Sequence, residues 1–322
     1  MTRDYVLGFD VGGTRIKSGA FDRAGKALWS DVVPSHAMDG PVRLLKAIVA
    51  QVRAAERSLR AKPAAIGLGL SGGVDPELGV VHLPGKFKGL ENFPLVPRLR
   101  KALDIPVLAD NDGRLAMVAE RRWGLARNVD WAVAVTLGTG VGSGVLLDGR
   151  ILRDPHRLFG LQLGHFVLQN YGGRLCLTGA KGTGETLCSA TSLAMSVRDG
   201  IQRGLPSTLA EQYWRDPQAV DFAAVIEAAS ERDALCTDEL QRWTTNLGWL
   251  LISAAHVYAP EVIILGGGGS HAARHFLKPL REHVNAHVFR HPRGEPIAIV
   301  PSKLGDMAGV IGAATLAWEH VA

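Results

Sequence analysis

Four apolar segments of this chain each run straight into a glycine turn, and no other feature limits the available folds as much. Tyr5–Val11 closes on Gly12-Gly13, and Ala64–Leu70 on Gly72-Gly73. Trp131–Leu137 closes on the spaced glycines Gly138, Gly140, Gly142 and Gly144, and Val262–Leu265 on Gly266-Gly267-Gly268-Gly269. Short apolar runs bounded by glycine read as buried strands followed by tight turns. Turns without Cβ atoms can also aim backbone N–H groups at an anion, the geometry of a phosphate cradle. Taken singly, each cluster is first of all a hairpin turn. Strand, Gly-Thr turn and antiparallel strand recur, however, at Gly13-Thr14 and at Gly138-Thr139. Glycine makes up 38 of 322 residues, about 12% against a usual level near 7%, and these turns hold much of the excess.

The rest of the chain alternates strands with helices. Arg15–Asp22 and Lys26–Val33 extend the first strand into an antiparallel meander. Pro41 opens an amphipathic helix to about Arg60, with Leu44, Leu45, Ile48, Val49 and Val52 at helical spacing. Strands at Val80–Leu83 and Pro106–Asp110 and helices over Leu95–Leu103 and from Asp112 follow. After Trp131–Leu137 the strand Gly142–Leu147 restarts the opening pattern. Helices are predicted within Glu185–Arg198, Phe222–Ala228 and Glu239–Tyr258, then after the last glycine cluster, and over Met307–His320, with a strand at Ile297–Val300. Gly204–Gln218, with two prolines, reads as the loosest stretch. The pattern predicts an α/β protein, and its length fits two domains built as similar halves.

Composition excludes several classes. With 47% hydrophobic and 21% charged residues, the chain has ample core and is not intrinsically disordered. The net charge of +5 is a small excess for this length. Its densest basic row, Arg43, Lys46, Arg53, Arg57, Arg60 and Lys62, reads as a solvated helix face, so no nucleic-acid partner is expected. No signal peptide or membrane-spanning run is visible. Cys176, Cys188 and Cys236 are too few and too unevenly spaced for a disulfide framework, which suits a reducing cytoplasm.

Two nucleotide motifs are matched only in letter. Gly67-Leu68-Gly69-Leu70-Ser71-Gly72 fits G-x-G-x-x-G, but Val74–Gly79 reads as a turn into another strand where a dinucleotide fingerprint needs a helix. Gly179–Thr186 has Glu185 at the lysine position of a P-loop. Asp10, at the end of the first strand, can hold Mg²⁺ directly or through water beside phosphates, or can accept N–H bonds of its own turn. Lys17 on the returning strand adds positive charge. Asp112, with Asn111, stands between a strand end and a helix start, a place for a general base and equally for an N-cap. The i, i+4 pairs His271/His275 and His283/His287 lack the glutamate of H-E-x-x-H and read as surface helix.

In order along nearly the whole length, these motifs resemble the ROK family of sugar kinases and sugar-responsive repressors. Asp10-Val11-Gly12-Gly13-Thr14-Arg15-Ile16-Lys17 resembles its first phosphate motif, and Thr136-Leu137-Gly138-Thr139-Gly140-Val141-Gly142-Ser143-Gly144 its second. Gly67–Asp75 is similar to the strand and turn beside the sugar. Asn111-Asp112 with Glu120 and Gly124 is similar to the catalytic stretch, Ile264–Gly268 to the adenosine-side turn, and Leu304-Gly305-Asp306 with Gly309–Ala313 to the closing helix. The resemblance implies a two-lobed actin-like ATPase (ribonuclease H-like) fold, each lobe a mixed sheet flanked by helices. The lobes would be 1–111 plus 303–322, and 112–302.

It further implies an ATP- and Mg²⁺-dependent kinase in which Asp112 accepts the proton of the sugar hydroxyl. Gly72, Asn111, Gln162, His165 and Glu185 would hold the sugar with Asp112. Asp10, Gly12, Gly13, Thr14, Lys17, Thr136, Gly138, Thr139, Gly140, Gly267 and Gly268 would hold the nucleotide, with Asp10 serving Mg²⁺. A homodimer is implied by family habit. Repressor members carry a helix-turn-helix domain before the first phosphate motif, for which no room is expected here; a catalytically silent sugar-binding protein is the alternative.

Departures from the family pattern cluster on the sugar side. Its Glu-x-Gly-His reads Gln162-Leu163-Gly164-His165 here, which keeps an acceptor and loses the charge. Arg153–Leu158 lacks the usual glycines, and Pro84-Gly85-Lys86 replaces an asparagine. The zinc pattern C-x-C-G-x-x-G-C-x-E aligns with Cys176–Glu185, where Thr178 and Thr183 replace the later cysteines, so no zinc is expected. An altered sugar preference is expected.

Overall fold

The computed structural model describes residues 5–83, 86–153, 162–169, 173–289 and 294–321. In chain order the strands are β1 (Val6–Val11), β2 (Arg15–Phe21), β3 (Ala27–Pro34), β4 (Ile66–Leu70), β5 (Gly73–Asp75), β6 (Val80–Leu83), β7 (Val107–Asn111), β8 (Ala132–Leu137), β9 (Val141–Leu147), β10 (Arg150–Ile151), β11 (Val262–Gly266) and β12 (Ala298–Pro301). The α-helices are α1 (Pro41–Leu59), α2 (Leu95–Leu103), α3 (Asp112–Trp123), α4 (Gly184–Cys188), α5 (Ala190–Gln202), α6 (Ala210–Arg215), α7 (Phe222–Ser230), α8 (Ala234–Tyr258), α9 (Ala273–His287) and α10 (Ala308–Val321).

One compact unit comprises Met1–Asn128, Arg150–Leu161 and Asp306–Ala322. Its sheet runs β3-β2-β1-β4-β7, with β1, β2 and β3 antiparallel and β1, β4 and β7 parallel. Leu7, Phe9 and Val11 point to one face, where Leu44, Ile48 and Val52 of α1 and Leu95 and Leu99 of α2 cover them. Those α1 positions form one stripe, while Arg43, Lys46 and Arg57 lie exposed on the helix. The other face carries α10. Gly8 and Gly67, paired across β1 and β4, meet it so closely that a Cβ would stand 2.1 Å from Val310 O and 1.9 Å from Ala313 O. Part of the glycine excess is therefore spent on seating a helix backbone on a sheet, a role the turn clusters did not suggest.

The expected boundary at Asn111/Asp112 differs from this division, which keeps α3 in the first unit. Leu115 and Val118 pack with Ala313, and Trp123 Nε1 donates to Thr315 Oγ1 at 3.0 Å. These contacts tie α3 to α10.

The second unit, Val129–Gly149 with Gln162–Gly305, repeats the topology. Its strands run β9-β8-β11-β12, with β8 and β9 antiparallel and β8, β11 and β12 parallel. The echo seen in sequence between two Gly-Thr hairpins thus extends to whole sheets. Trp243 of α8 is buried between Phe276 of α9 and Phe222 of α7, with ring centroids at 5.1 and 5.8 Å. Its Nε1 donates to Ser189 O at 3.0 Å. Ser189 also breaks the helix expected within Glu185–Arg198 into α4 and α5, its hydroxyl accepting from Ser192 N. Gly204–Gln218, expected to be loose, contains α6, a helix too short and too close to prolines to show as periodicity.

Candidate active site

The first unit gathers its charged groups at the C-terminal ends of β1 and β7. Val74–Gly79 turns into β6, as the rejected dinucleotide motif required, with Asp75 Oδ1 accepting from Glu77 N and Leu78 N at 2.9 Å each. Asn111 ends β7 and caps α3. Its Oδ1 accepts from Gly113 N at 2.9 Å and Arg114 N at 3.2 Å, and its Nδ2 donates to Gly72 O at 3.1 Å. Asn111 thus does the capping, and Asp112 is left as the first helical residue, its Oδ1 accepting from Gly113 N at 2.9 Å. Of the two roles open to Asp112 in the sequence, the cap belongs to its neighbour. Glu120 and Gly124 serve the other end of α3: Glu120 Oε2 accepts from Leu125 N at 2.8 Å, and a Cβ on Gly124 would stand 1.9 Å from that same oxygen.

Asp10 lies across the first hairpin from Lys17 and under Gly309 of α10, whose Cβ would stand 3.0 Å from Asp10 Cγ. Burial, reinforced by the charge of Asp112 and outweighing Lys17 and Lys86, pushes the Asp10 carboxyl up to about 6. Burial also raises Asp112 above the ordinary carboxylate range, against the opposing pull of Lys86 and of the Gly113 N–H. Burial and the charge of Asp112 both disfavour the Asp10 carboxylate, so a cation beside it would be favourable. Gly12 N donates to Arg15 O at 2.9 Å, Thr14 is exposed, and Ser35 clamps the turn by donating to Gly13 O at 2.8 Å.

In the second unit, Gly138, Thr139 and Gly140 form the tip between β8 and β9, with Gly138 N donating to Gly140 O at 3.0 Å and Ala190 N to Gly138 O at 2.9 Å. Thr136 lies beside Gly266 in the β8–β11 register. Gly267, at φ 75°, passes so near the same hairpin that a Cβ would stand 2.5 Å from Leu137 O. At Gly138 and Gly268, by contrast, a Cβ would meet no protein atom within 4 Å. No described neighbour requires glycine at these two positions.

Glu185 reaches this hairpin from α4, its Oε2 2.1 Å from where a Gly140 Cβ would lie. The turn at Gln162–His165 docks on β9 through Leu163 N, which donates to Ser143 Oγ at 3.1 Å. Gly164 there approaches Val141 O, and His165 Nδ1 is buried without a hydrogen-bond partner. Of the three positions matching the cysteines of the family zinc pattern, Cys176 alone keeps its thiol. At the other two, Thr178 Oγ1 stands 3.1 Å from Cys176 Sγ and Thr183 caps α4, its hydroxyl 3.3 Å from that of Thr186. Desolvation raises the Cys176 thiol, but hydrogen bonds from Thr178 and His165 prevail and bring it down to about 7. The donor set does not suit zinc, because threonine hydroxyls are poor ligands. Among the described residues no group of three or more His, Cys, Asp or Glu is arranged to hold a metal.

Sequence reading missed three contributors. Lys86 lies over the first glycine turn, its Cβ 3.1 Å from where a Gly13 Cβ would stand, and acts electrostatically on both Asp10 and Asp112. Asp306 accepts from Lys17 Nζ through its backbone oxygen at 3.3 Å, and its carboxylate is 3.7 Å away. Asp110 is fully buried, binding Arg114 Nη2 at 2.6 Å and Arg153 Nη1 at 2.5 Å. Local spacing signalled none of the three, since Asp110 stands on β7 and Arg114 on α3, where the helical i, i+4 rule does not apply. Residues 84–85 and 154–161, where two departures from the family pattern fall, lie outside the described residues.

Known proteins resemble the chain from end to end. A glucokinase of Thermotoga maritima is 29% identical over 100% of this chain and 99% of its own length. One of Halalkalibacterium halodurans is 31% identical over 97% of this chain and 94% of its own. The crystal structure of a ROK family glucokinase from Streptomyces griseus, in complex with glucose and AMPPNP, superposes with a TM-score of 0.85 at 26% identity, covering 98% of this chain and 99% of that one. The ROK family profile matches residues 6–320. With its paired sheets, its two glycine hairpins and a carboxylate released from capping at the head of α3, the chain belongs to the ROK family.

Proposed function

We propose that the protein is an ATP-dependent kinase that phosphorylates a sugar hydroxyl, with Asp112 as its general base. The observation that carries this is the division of labour at the start of α3. Asn111 accepts from Gly113 N and Arg114 N, so Asp112 keeps acceptor capacity, and burial raises its carboxyl above the ordinary carboxylate range, the direction that favours a general base. In the transfer, Asp112 takes the hydroxyl proton as the oxygen attacks the γ-phosphorus, and ADP leaves with the bonding pair. Such catalysis rests on positioning and charge stabilisation. Asn111, tied to Gly72, fixes the carboxylate's direction, while Lys17 and Lys86 supply positive charge beside it. The open glycine positions at Gly138 and Gly268 leave room for nucleotide phosphates and adenosine.

Asp10 and Asp112 suit Mg²⁺ in its usual form, one or two carboxylates with retained water and substrate phosphate. When bound, the ion neutralises charge on the transferring phosphates. Asp10 would hold it, and its burial beside Asp112 favours a cation there. Zinc is no part of the proposal, since Thr178 and Thr183 are committed to hydrogen bonds. Gln162 in place of a glutamate supports a sugar preference shifted from that of the glucokinase relatives, because a neutral amide both donates and accepts where a carboxylate only accepts.

The test is ADP release over a panel of hexoses, N-acetylated hexosamines and other polyols, with Asp112→Asn beside the parent. The variant is expected to lose about 10²–10⁴-fold in kcat while the sugar KM changes little. Turnover in no sugar above that of the variant would defeat the proposal.

A further inference from the structure

Four arginines, of which only Arg153 has been met above as the partner of Asp110, converge on one cavity of the first unit. Arg121 and Arg122 come from the last turn of α3, Arg150 and Arg153 from the segment at and after β10, and Glu319 of α10 closes the rim. The cavity has a volume of about 420 Å³. Two cations in a helix's last turn are ordinary, because they complement its dipole. Arg150 and Arg153 come from a separate stretch of chain, nearly thirty residues on. Four guanidinium groups and one carboxylate among the described residues line the cavity, and one of the four, Arg153, is paired with Asp110. Among the described residues, Arg121, Arg122 and Arg150 form no ion pair.

Two of the four are already held. Arg153 Nη1 is 2.5 Å from the buried Asp110 carboxylate, and the Arg122 guanidinium lies over the Trp123 ring, 5.1 Å from its centroid. Groups fixed before binding lose less entropy when a ligand arrives. Guanidinium forks match phosphoryl oxygens in shape and charge, and several around one concavity suit more than one phosphoryl group.

We propose that this cavity binds a small anion bearing two or more phosphoryl groups, as a site separate from the residues that handle substrate.

The test is calorimetric titration of the full chain with inorganic pyrophosphate in EDTA at fixed ionic strength, which requires no turnover. The parent is compared with Arg121→Ala/Arg122→Ala/Arg150→Ala and with the control Lys46→Ala/Arg57→Ala. The glycine hairpins offer pyrophosphate a second place, and the triple variant leaves them untouched. One class of site is expected to weaken at least about tenfold in the triple variant and not in the control. Arg150→Glu alone is expected to weaken the same class, and a thermal melt matching the parent shows each variant folded. No pyrophosphate binding, equal binding by parent and triple variant, or equal loss in the α1 control would each overturn the proposal.

Discussion

Asp10 shows how a carboxylate is buried at a cost. Its carboxyl is raised from 3.8 to about 6, chiefly by burial and then by Asp112. The folded protein therefore binds this proton more tightly than the unfolded chain does. The resulting stability is fully present below about pH 4 and is lost as pH rises through about 6. A shift of this size corresponds to at most about 3 kcal/mol. In the absence of divalent cations, Asp10→Asn is expected to raise the melting temperature at pH 7.5 and to leave it unchanged below pH 4. Added Mg²⁺ is expected to stabilise the parent and not the variant. A gain independent of pH would mean that ionisation is not its cause. The position of Asp10 was legible, since a strand and two glycines frame it. The raised pKa was not, because it depends on Asp112, Lys86 and α10, all distant in the chain.

At the scale of elements, a glycine's neighbours decide what it is for. Gly67 faces the α10 backbone, where a Cβ would stand 1.9 Å from Ala313 O. Gly140 faces the mobile end of Glu185, 2.1 Å from Oε2. Gly67→Ala must push a helix off a sheet and is expected to destabilise by about 3 kcal/mol or more, read by chemical denaturation. Gly140→Ala requires only that Glu185 swing aside. Its stability loss is expected to stay below about 1 kcal/mol, while the sugar KM rises several-fold. Equal losses of stability in the two variants would contradict this distinction. In sequence, both glycines belong to a strand or a glycine-rich turn, and nothing local separates them. Helix α1, by contrast, was legible throughout, because its stripe of Leu44, Ile48 and Val52 is a property of spacing alone.

Over the whole molecule, the two sheets share one order of strands, so the short repeat of Gly-Thr hairpins was the visible part of a larger one. The loop from Cys176 to Glu185 holds its shape through Cys176 N to Ala180 O, Gly184 N to Phe166 O and the Thr183 cap. We expect this loop to fold without a metal. Purified protein is expected to contain no stoichiometric zinc and to melt at the same temperature with and without a strong chelator. A chelator-sensitive melting temperature would refute it.

The sequence by itself determined the family, the order of its motifs and the chemistry open to each, because these rest on residue types at short spacing. Strand periodicity, helix stripes and the glycine turns are written in neighbouring residues. Only the tertiary structure decided that Asn111 caps α3 while Asp112 keeps its acceptors, that Lys86 overlies the first hairpin, and that Gly8 and Gly67 serve helix packing. It alone brought Arg153 to Asp110 and to Arg121, Arg122 and Arg150. The reason is distance along the chain. Burial and Coulomb interactions act between groups close in space, and their energies are set once segments tens of residues apart have packed together.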